Sequence, residues 1–230
     1  MPNETPVKLF STLAVRKAFD DVLLAAFKDR TGIEVDGVYD PTTQLLLRVR
    51  NGERPDVMIA VTSSFGELRE LGVLEVNQRV AVARTGVGLA VPPGAEPPDI
   101  STVEAFKATL LNARSVAYSR TGASGIYFAG LIRELGIFDE VNARATLIDK
   151  GFIAHAVLDG RADIAIQQLS ELRFVPEAQI VGPFPDEVQH YSEFSAVLGV
   201  DAGDAARQFV DFLTTHTARD AYEQTGLEAL

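Results

Sequence analysis

Hydroxyl side chains cluster at three junctions where a short apolar segment runs into a helix. The junction residues are Ser11 and Thr12, then Thr42 and Thr43, and finally Ser119, Arg120 and Ser124. At the carboxyl end of a parallel strand, such a turn presents backbone N–H groups and the positive end of a helix dipole. The pattern therefore predicts a binding site for a small anion.

Each of these residues also has a purely structural explanation. Serine and threonine are good helix caps, and a cap contributes about 1 kcal/mol to stability. Arg120 differs, because a glycine-flanked loop that opens a helix needs no arginine for its own stability. It is a candidate for a charged hydrogen bond to the anion, and the alternative is a solvated surface arginine. Among the tyrosines, Tyr118 is the one expected to face a ligand.

One histidine lies near these junctions. His155 is one helical turn inside a helix that opens at Gly151, so the two residues share a face. If the protein is an enzyme, the candidate bases are His155, Tyr118 and Asp40; otherwise His155 is a partly buried or surface histidine. The remaining histidines have no partner at ligand spacing, so neither a metal site nor a cofactor is expected.

Composition limits the partners. The chain has 230 residues, of which 47% are hydrophobic, and carries 32 acidic against 21 basic side chains, a formal charge of −11. This charge argues against nucleic acid or an anionic membrane as the main partner. Without cysteine the chain has no disulfide, and no apolar run is long enough to predict membrane insertion. A monomer is expected.

Localisation depends on a leader. Residues 1–6 have neither a basic start nor an apolar core, so no signal peptide is predicted in the chain as given. The protein is expected in the periplasm if a leader was removed, and in the cytoplasm, as an anion sensor, if Met1 is the native start. An exported protein would have a membrane ABC permease as a further partner.

Apolar periodicity predicts an α/β protein with alternating strands and helices. The predicted strands are 7–12, 33–39, 56–61, 115–118, 145–148 and 163–167, with further extended segments at 78–84, 86–92, 178–181 and 190–200. The predicted helices are 14–30, 42–50, 64–71, 102–112, 124–135, 151–159, 203–215 and 218–224. Residues 1–82 with 192–230 are expected to form one lobe, and residues 83–191 the other.

Six segments, in order along nearly the whole chain, carry a resemblance to a known family. They are Phe10-Ser11-Thr12, the run 52–57, Gly125-Ile126-Tyr127, the run 135–138, the run 160–166, and Phe212-Leu213 through Gly226-Leu227. In this order they resemble the bacterial extracellular solute-binding proteins of the molybdate-binding type, which have the type II periplasmic binding protein fold. The resemblance implies two lobes with mainly parallel sheets and hinge crossings, closing on an oxyanion.

The same resemblance maps ligand-binding positions onto this chain. It places the family's serine donors near Ala14 and at Thr42 or Thr43, and its other donors near Ser124 and at Lys150 or Gly151. The family's tyrosine falls on Gln167 or Gln168, so the tyrosine is missing here.

Those departures bear on the ligand. A guanidinium matches a carboxylate bidentately, so Arg120, Lys150 and the two glutamines favour an organic carboxylate over a molybdate-type oxyanion. We expect a solute-binding protein that captures such an anion in the cleft between two lobes. Because some relatives of this type resemble aconitate isomerase, the alternative is a proton shift on a tricarboxylate in the same cleft.

Overall fold

The computed structural model describes residues 5–149 and 151–230, so Lys150 and the first four residues lie outside the described part of the chain. The chain divides into two compact units. Unit 1 comprises Met1–Arg84 and Glu193–Leu230, and unit 2 comprises Thr85–Ser192. That these units act as two lobes closing on a ligand stays a prediction.

Strands and helices alternate as the periodicity predicts. The strands are β1 (Val7–Ser11), β2 (Val35–Tyr39), β3 (Val57–Val61), β4 (Val80–Val91), β5 (Val116–Ser119), β6 (Thr146–Ile148), β7 (Ile164–Gln168), β8 (Gln179–Pro183), β9 (Tyr191–Leu198) and β10 (Glu228–Ala229). The α-helices are α1 (Arg16–Ala18), α2 (Leu24–Thr31), α3 (Thr42–Arg50), α4 (Val103–Asn112), α5 (Ala123–Glu134), α6 (Phe138–Asn142), α7 (His155–Leu158), α8 (Leu169–Leu172), α9 (Asp204–Phe212) and α10 (His216–Gln224). Short 3-10 helices span Leu13–Val15, Thr62–Leu71, Val76–Gln78 and Asp186–Val188, and a π-helical turn spans Phe19–Leu23.

In unit 1, β1 is the middle strand of a parallel set. It pairs with β2 on one side and β3 on the other, and β9 runs antiparallel to β3. The first helical region and the C-terminal helices pack together through aromatic rings, with the Phe27 and Phe209 ring centroids 4.9 Å apart. The apolar stripe of the last helices thus completes the core of unit 1, and the carboxyl ends of β1, β2 and β3 lie at one edge.

In unit 2, β5 pairs in parallel with β6 and β7, while β4 runs antiparallel to β7 and β8. The core contains Phe106, Phe128 and Phe184 between the sheet and its helices. As in unit 1, the carboxyl ends of three parallel strands, here β5, β6 and β7, share an edge.

Some elements differ from the sequence-based prediction. The two extended segments around Thr85-Gly86 are one continuous strand, β4, because no residue there breaks an extended backbone. The helix expected at 64–71 is a 3-10 helix; the Ser64 hydroxyl donates 2.6 Å to the Val61 carbonyl oxygen, a local bond that competes with α-helical pairing. The helix expected at 151–159 shortens to α7, since the chain enters it through Gly151 at φ 105°.

Helix α5 approaches the end of β5 closely. A Cβ on Gly125 would collide with the backbone carbonyl oxygen of Ser119, whereas a Cβ on Gly130, in the same helix, would meet nothing within 4 Å. Only glycine therefore lets the first turn of α5 sit against the end of β5.

We predict opposite effects for alanine at these two glycines. Gly125→Ala should lower the free energy of unfolding by about 1–3 kcal/mol, because the backbone must shift to accept the methyl group. Gly130→Ala should raise it by about 0.5–1 kcal/mol through helix propensity alone. Urea unfolding of both variants checks this, and equal effects would contradict the close approach.

Candidate functional site

The carboxyl ends of the parallel strands in unit 1 meet at one level. Ser11 lies beside Tyr39 on β2 and Ile59 on β3. The Thr12 N–H donates to the Ile59 carbonyl oxygen at 2.9 Å, and the Asp40 N–H donates to the Ser11 carbonyl oxygen at 3.2 Å. The residues that follow β1 and β2 are therefore brought together, as the first two sequence junctions predict.

The hydroxyls at this edge do not cap helices. Thr12 occupies the position before the 3-10 helix Leu13–Val15, but its side chain makes no capping bond. Within the described chain its hydroxyl has no hydrogen-bond partner, although the residue is only 5% exposed. Thr42 opens α3 behind Pro41, and its hydroxyl oxygen accepts a 3.3 Å bond from the Val61 N–H, which ties α3 to β3.

The other predicted donors at this edge have less freedom. Ser11 is fully buried, and its hydroxyl donates 3.2 Å to the carbonyl oxygen of Thr12. Thr43, one residue into α3, is half-buried. Their roles as ligand contacts stay predictions.

Asp40 is a buried carboxylate at the end of β2. Arg48, from the exposed face of α3, donates from Nε to its Oδ2 at 3.1 Å and also pairs with Glu53. The arginine compensates the buried charge that would otherwise face an incoming anion. As a candidate base, Asp40 is thus a carboxylate already held in an ion pair.

Sequence reasoning missed two further hydroxyls in unit 1. The Thr62 and Ser195 side chains share a 2.8 Å hydrogen bond, and Ser195 lies opposite Ala60 on the antiparallel strand β9. Ser195, set between Phe194 and the apolar residues Ala196 and Val197, was the available signal. These hydroxyls extend the polar edge beyond the three predicted junctions.

In unit 2, Ser119 organises the turn between β5 and α5. Its hydroxyl oxygen accepts from the N–H groups of Gly122 at 2.8 Å and Thr121 at 3.3 Å, so its own proton remains available to donate. Ser124, the second residue of α5, is 2% exposed, and its hydroxyl bonds to none of the residues that the structure describes.

Arg120 and Tyr118 are engaged elsewhere in unit 2. The Arg120 Nε donates 2.8 Å to Asp149 in a pair whose side chains are 61% and 72% exposed. The Tyr118 ring packs against Phe128, its hydroxyl donates 2.6 Å to Asn142, and burial raises its pKa. Neither placement tests ligand contact directly, so both roles stay predictions.

Gln167 fastens the loop after β6 to the end of β7. Its Oε1 accepts from the Ile153 N–H at 2.7 Å, and its Nε2 donates to the Gly151 carbonyl oxygen at 3.2 Å. Continuing the β5–β7 register from Ala117 and Ala165 places Gln167 level with Ser119. The buried Gln167 and Gln168 therefore lie at the same sheet edge as Ser119, and Lys150 falls outside the described residues.

Glu171 is the titratable residue that sequence reasoning missed. It lies in α8, directly after β7, and is 8% exposed. Burial raises the pKa of its carboxyl group to about 7, against hydrogen bonds from the Gln167 side chain and the Gln168 backbone that lower it. Beside it, the fully buried Ser170 hydroxyl has no partner in the described chain. The i, i+4 spacing of Gln167 and Glu171 was the only signal in the sequence.

The predicted base, His155, lies at the surface. It opens α7 with an exposed side chain, near Asp159, whose pKa is lowered chiefly by the hydrogen bond from the Arg161 side chain and least by His155. Within residues 5–149 and 151–230, no group of three or more acidic or histidine side chains could hold a metal ion. Over the same residues, every helix is too short or too polar to span a bilayer.

Comparison with known proteins identifies the family. A family model described as bacterial extracellular solute-binding protein matches residues 7–228. The chain belongs to this family.

Two solved structures of binding proteins share the fold. The Azotobacter vinelandii periplasmic molybdate-binding protein superposes with a TM-score of 0.79 at 18% identity, covering 96% of this chain and 98% of that one. Peb3 from Campylobacter jejuni, solved with L-phospholactate bound, gives a TM-score of 0.74 at 13% identity, covering 96% and 99%. The predicted family and the type II periplasmic binding protein fold are confirmed.

A sequence relative is an enzyme by name. The aconitate isomerase of a Pseudomonas species is 32% identical over 211 residues, which cover 88% of this chain and 80% of the relative. The fold of this chain is thus shared with a molybdate-binding protein and with Peb3, and one sequence relative is named for isomerisation.

We predict that Glu171 makes the stability of this solute-binding family member depend on pH. With a pKa of about 7 instead of the ordinary 4.5, the folded state binds a proton more tightly than the unfolded chain. The carboxyl therefore costs no stability at pH 4, and its cost grows as pH rises through 7, to on the order of 3 kcal/mol. Glu171→Gln should be more stable than the wild type at pH 8 by up to that amount and equally stable at pH 4.

Urea unfolding at both pH values measures this difference. Glu177→Gln, at an exposed glutamate on the same segment, is the control and should leave stability unchanged at either pH. Equal stability of Glu171→Gln and the wild type at pH 8 would show that Glu171 is not a neutral buried carboxyl.

Proposed function

We propose that the protein binds a small organic polycarboxylate through hydroxyl and amide donors at the strand ends. The observation that carries this proposal is a pair of hydroxyls at strand ends, Thr12 in unit 1 and Ser124 in unit 2. Both residues are largely buried, and neither hydroxyl has a partner in the described chain. Both hydroxyls can therefore donate to a ligand that accepts hydrogen bonds.

Neutral donors suit this protein. Its formal charge is −11; Arg48 is committed to the buried Asp40, whereas Arg120 forms an exposed pair with Asp149. An anion would then be held by directed hydrogen bonds and the dipole of the 12-residue helix α5, whose first turn carries Ser124. Such a site selects for shape and number of acceptors more than for charge.

The relative named aconitate isomerase supports an organic acid as the ligand. At 32% identity over most of both chains, it is far nearer in sequence than the molybdate-binding protein at 18%. Aconitate is a tricarboxylate, so its acceptors are spread over three planar groups instead of one tetrahedral centre. The neutral amide of Gln168 is a donor that suits a carboxylate oxygen, whereas the Gln167 amide already donates to Gly151 and Glu171.

The expected contribution of Arg120 belongs to this proposal. Its Nε is engaged by Asp149 at 2.8 Å, in an exposed pair that contributes little stability. A carboxylate ligand competing for the guanidinium would therefore give up little by displacing Asp149. Tyr118 is not needed for binding, because its hydroxyl is already paired with Asn142.

We predict measurable binding of carboxylates and its loss on removing the hydroxyls. Isothermal calorimetry should show saturable binding of cis- or trans-aconitate that exceeds the affinity for molybdate. Thr12→Val and Ser124→Ala should each weaken aconitate binding by about 3- to 10-fold, the effect of one neutral hydrogen bond. Thr217→Val, at an exposed threonine of α10, should change nothing.

The opposite ranking would defeat the organic-acid preference, since tighter binding of molybdate identifies a metal-oxyanion site. Full affinity in both hydroxyl variants would remove Thr12 and Ser124 from the site, whatever the ligand.

A transport role would add a permease as a partner. The family is described as extracellular, so a membrane ABC permease is the expected recipient of the ligand, and a monomer is the expected form.

Isomerisation is the second candidate function, and the named relative is the observation that favours it. Removing a proton from the methylene carbon of aconitate and adding one at the vinylic carbon moves the double bond across the central carbon. The geometry of the new double bond can differ from that of the old one. The reaction needs no cofactor, only a group that can hold and release a proton near neutral pH.

We predict interconversion of cis- and trans-aconitate if this second function holds. Proton NMR of either isomer incubated with the protein should show the other isomer, and incubation in deuterated water should place deuterium in the recovered substrate. Saturable binding without either change would leave the binding function and exclude the enzyme.

A further inference from the structure

The end of β7 holds a buried carboxyl group that ligand capture alone does not need. Glu171 is 8% exposed, and its hydrogen bonds come from the Gln167 side chain and the Gln168 backbone. Gln167 is itself fixed by Gly151 and Ile153. The carboxyl group is therefore held by neutral donors in a framework that joins the ends of β6 and β7.

Among residues 5–149 and 151–230, no charged side chain compensates Glu171 as Arg48 compensates Asp40. Among the described residues, α8 contacts β7, whose last two side chains are neutral amides, and β8, which carries no titratable side chain. The nearby helix α7 has only the exposed His155 and, beyond it, Asp159. A carboxyl group in such surroundings exchanges a proton near neutral pH, because burial opposes its charged form.

We propose that Glu171 is the group that carries the proton in the isomerisation described above, and this inference rests on that second function. Its place at the end of β7, beside the buried and unpartnered hydroxyl of Ser170, puts it at the same sheet edge as Ser119 and Gln167.

Glu171 alone can account for both proton transfers in the double-bond shift. The carboxylate accepts a proton from the methylene carbon as that C–H bond breaks, and the electron pair forms a new double bond to the central carbon. The electrons of the old double bond move to the vinylic carbon, which takes the proton back from the carboxylic acid. Glu171 ends as a carboxylate, and no oxidant, metal or second base enters.

The other candidate bases fit this role less well. Asp40 is held in an ion pair by Arg48, so its carboxylate already has a charged partner. His155 is exposed and faces Asp159, where water competes for any proton. The Tyr118 hydroxyl already donates a hydrogen bond to the Asn142 side chain. Glu171 combines burial with a proton affinity matched to neutral pH.

The test compares Glu171→Gln with Glu177→Gln in the full-length protein. Glu171→Gln should lower the interconversion rate of cis- and trans-aconitate at least about 100-fold, the usual effect of losing a general base. Its affinity for cis-aconitate, measured by calorimetry below pH 7 where Glu171 is protonated, should stay within about threefold of the wild type because the amide resembles the neutral carboxyl in shape. Glu177→Gln should retain full activity and binding.

The pH profile gives a readout that a structural role would not move. In the wild type, kcat/KM should rise as pH increases through about 7 and then level off, because the base must be ionised. Glu171→Asp, which keeps the carboxyl but withdraws it by one methylene, should retain measurable activity.

The possible failures are distinguishable. An active wild type with a smaller fall in Glu171→Gln overturns the role of Glu171 and leaves the isomerase function standing. Loss of aconitate binding in Glu171→Gln also counts against it, since the residue would then hold the ligand instead of moving its proton. A wild type that binds but never interconverts the isomers overturns both proposals.

Discussion

The need to satisfy polar groups at the ends of parallel strands governs this protein. Where β1, β2, β3, β5, β6 and β7 stop, backbone N–H and carbonyl groups leave the sheet together at one edge of each unit. Buried polar groups need partners, and side chains supply them. The Thr42 hydroxyl bonds to the Val61 backbone, and the Ser119 hydroxyl bonds to the backbone of the turn into α5. The Gln167 amide bonds to the backbone at Gly151 and Ile153. Only the polar groups at these edges that have no partner within the protein are then available to bind a ligand.

The sequence predicted the alternation of elements because apolar periodicity and glycine-ended helices are local signals. Helix α2 ends at Gly32 with φ 77°, where the sequence places its stop. Local signals fail where side chains and backbone compete, as at Ser64, where a serine bond to Val61 produces a 3-10 helix. They also fail for very short elements such as α8 and β10, whose formation depends on contacts with distant segments.

The sequence predicts which residues lie at the strand ends of the candidate site. It does not predict which side chains pair with one another there. Residue types marked Ser11, Thr12, Thr42, Ser119 and Ser124 as hydroxyls at strand ends. Nothing in the sequence pairs Arg120 with Asp149 or Asp40 with Arg48, since these contacts depend on how neighbouring loops approach each other. Glu171 was missed for the same reason. A glutamate near an apolar strand is ordinarily solvated, and only the packing of α8 against β7 and β8 buries it.

Glu171 also bears on the choice between binding and catalysis. An ionised carboxylate near a bound polycarboxylate repels it, so ligand binding would further favour the protonated form. Affinity would then fall as pH rises through the range where the carboxyl ionises, and the uncompensated group also costs folding stability at neutral pH. A pure binding site would gain nothing from these two costs, and a glutamine at the same position would avoid both. A proton-transfer site gains a group that holds a proton without solvent and releases it near pH 7. The burial of Glu171, without a charged partner among the described residues, therefore favours proton chemistry on this solute-binding fold.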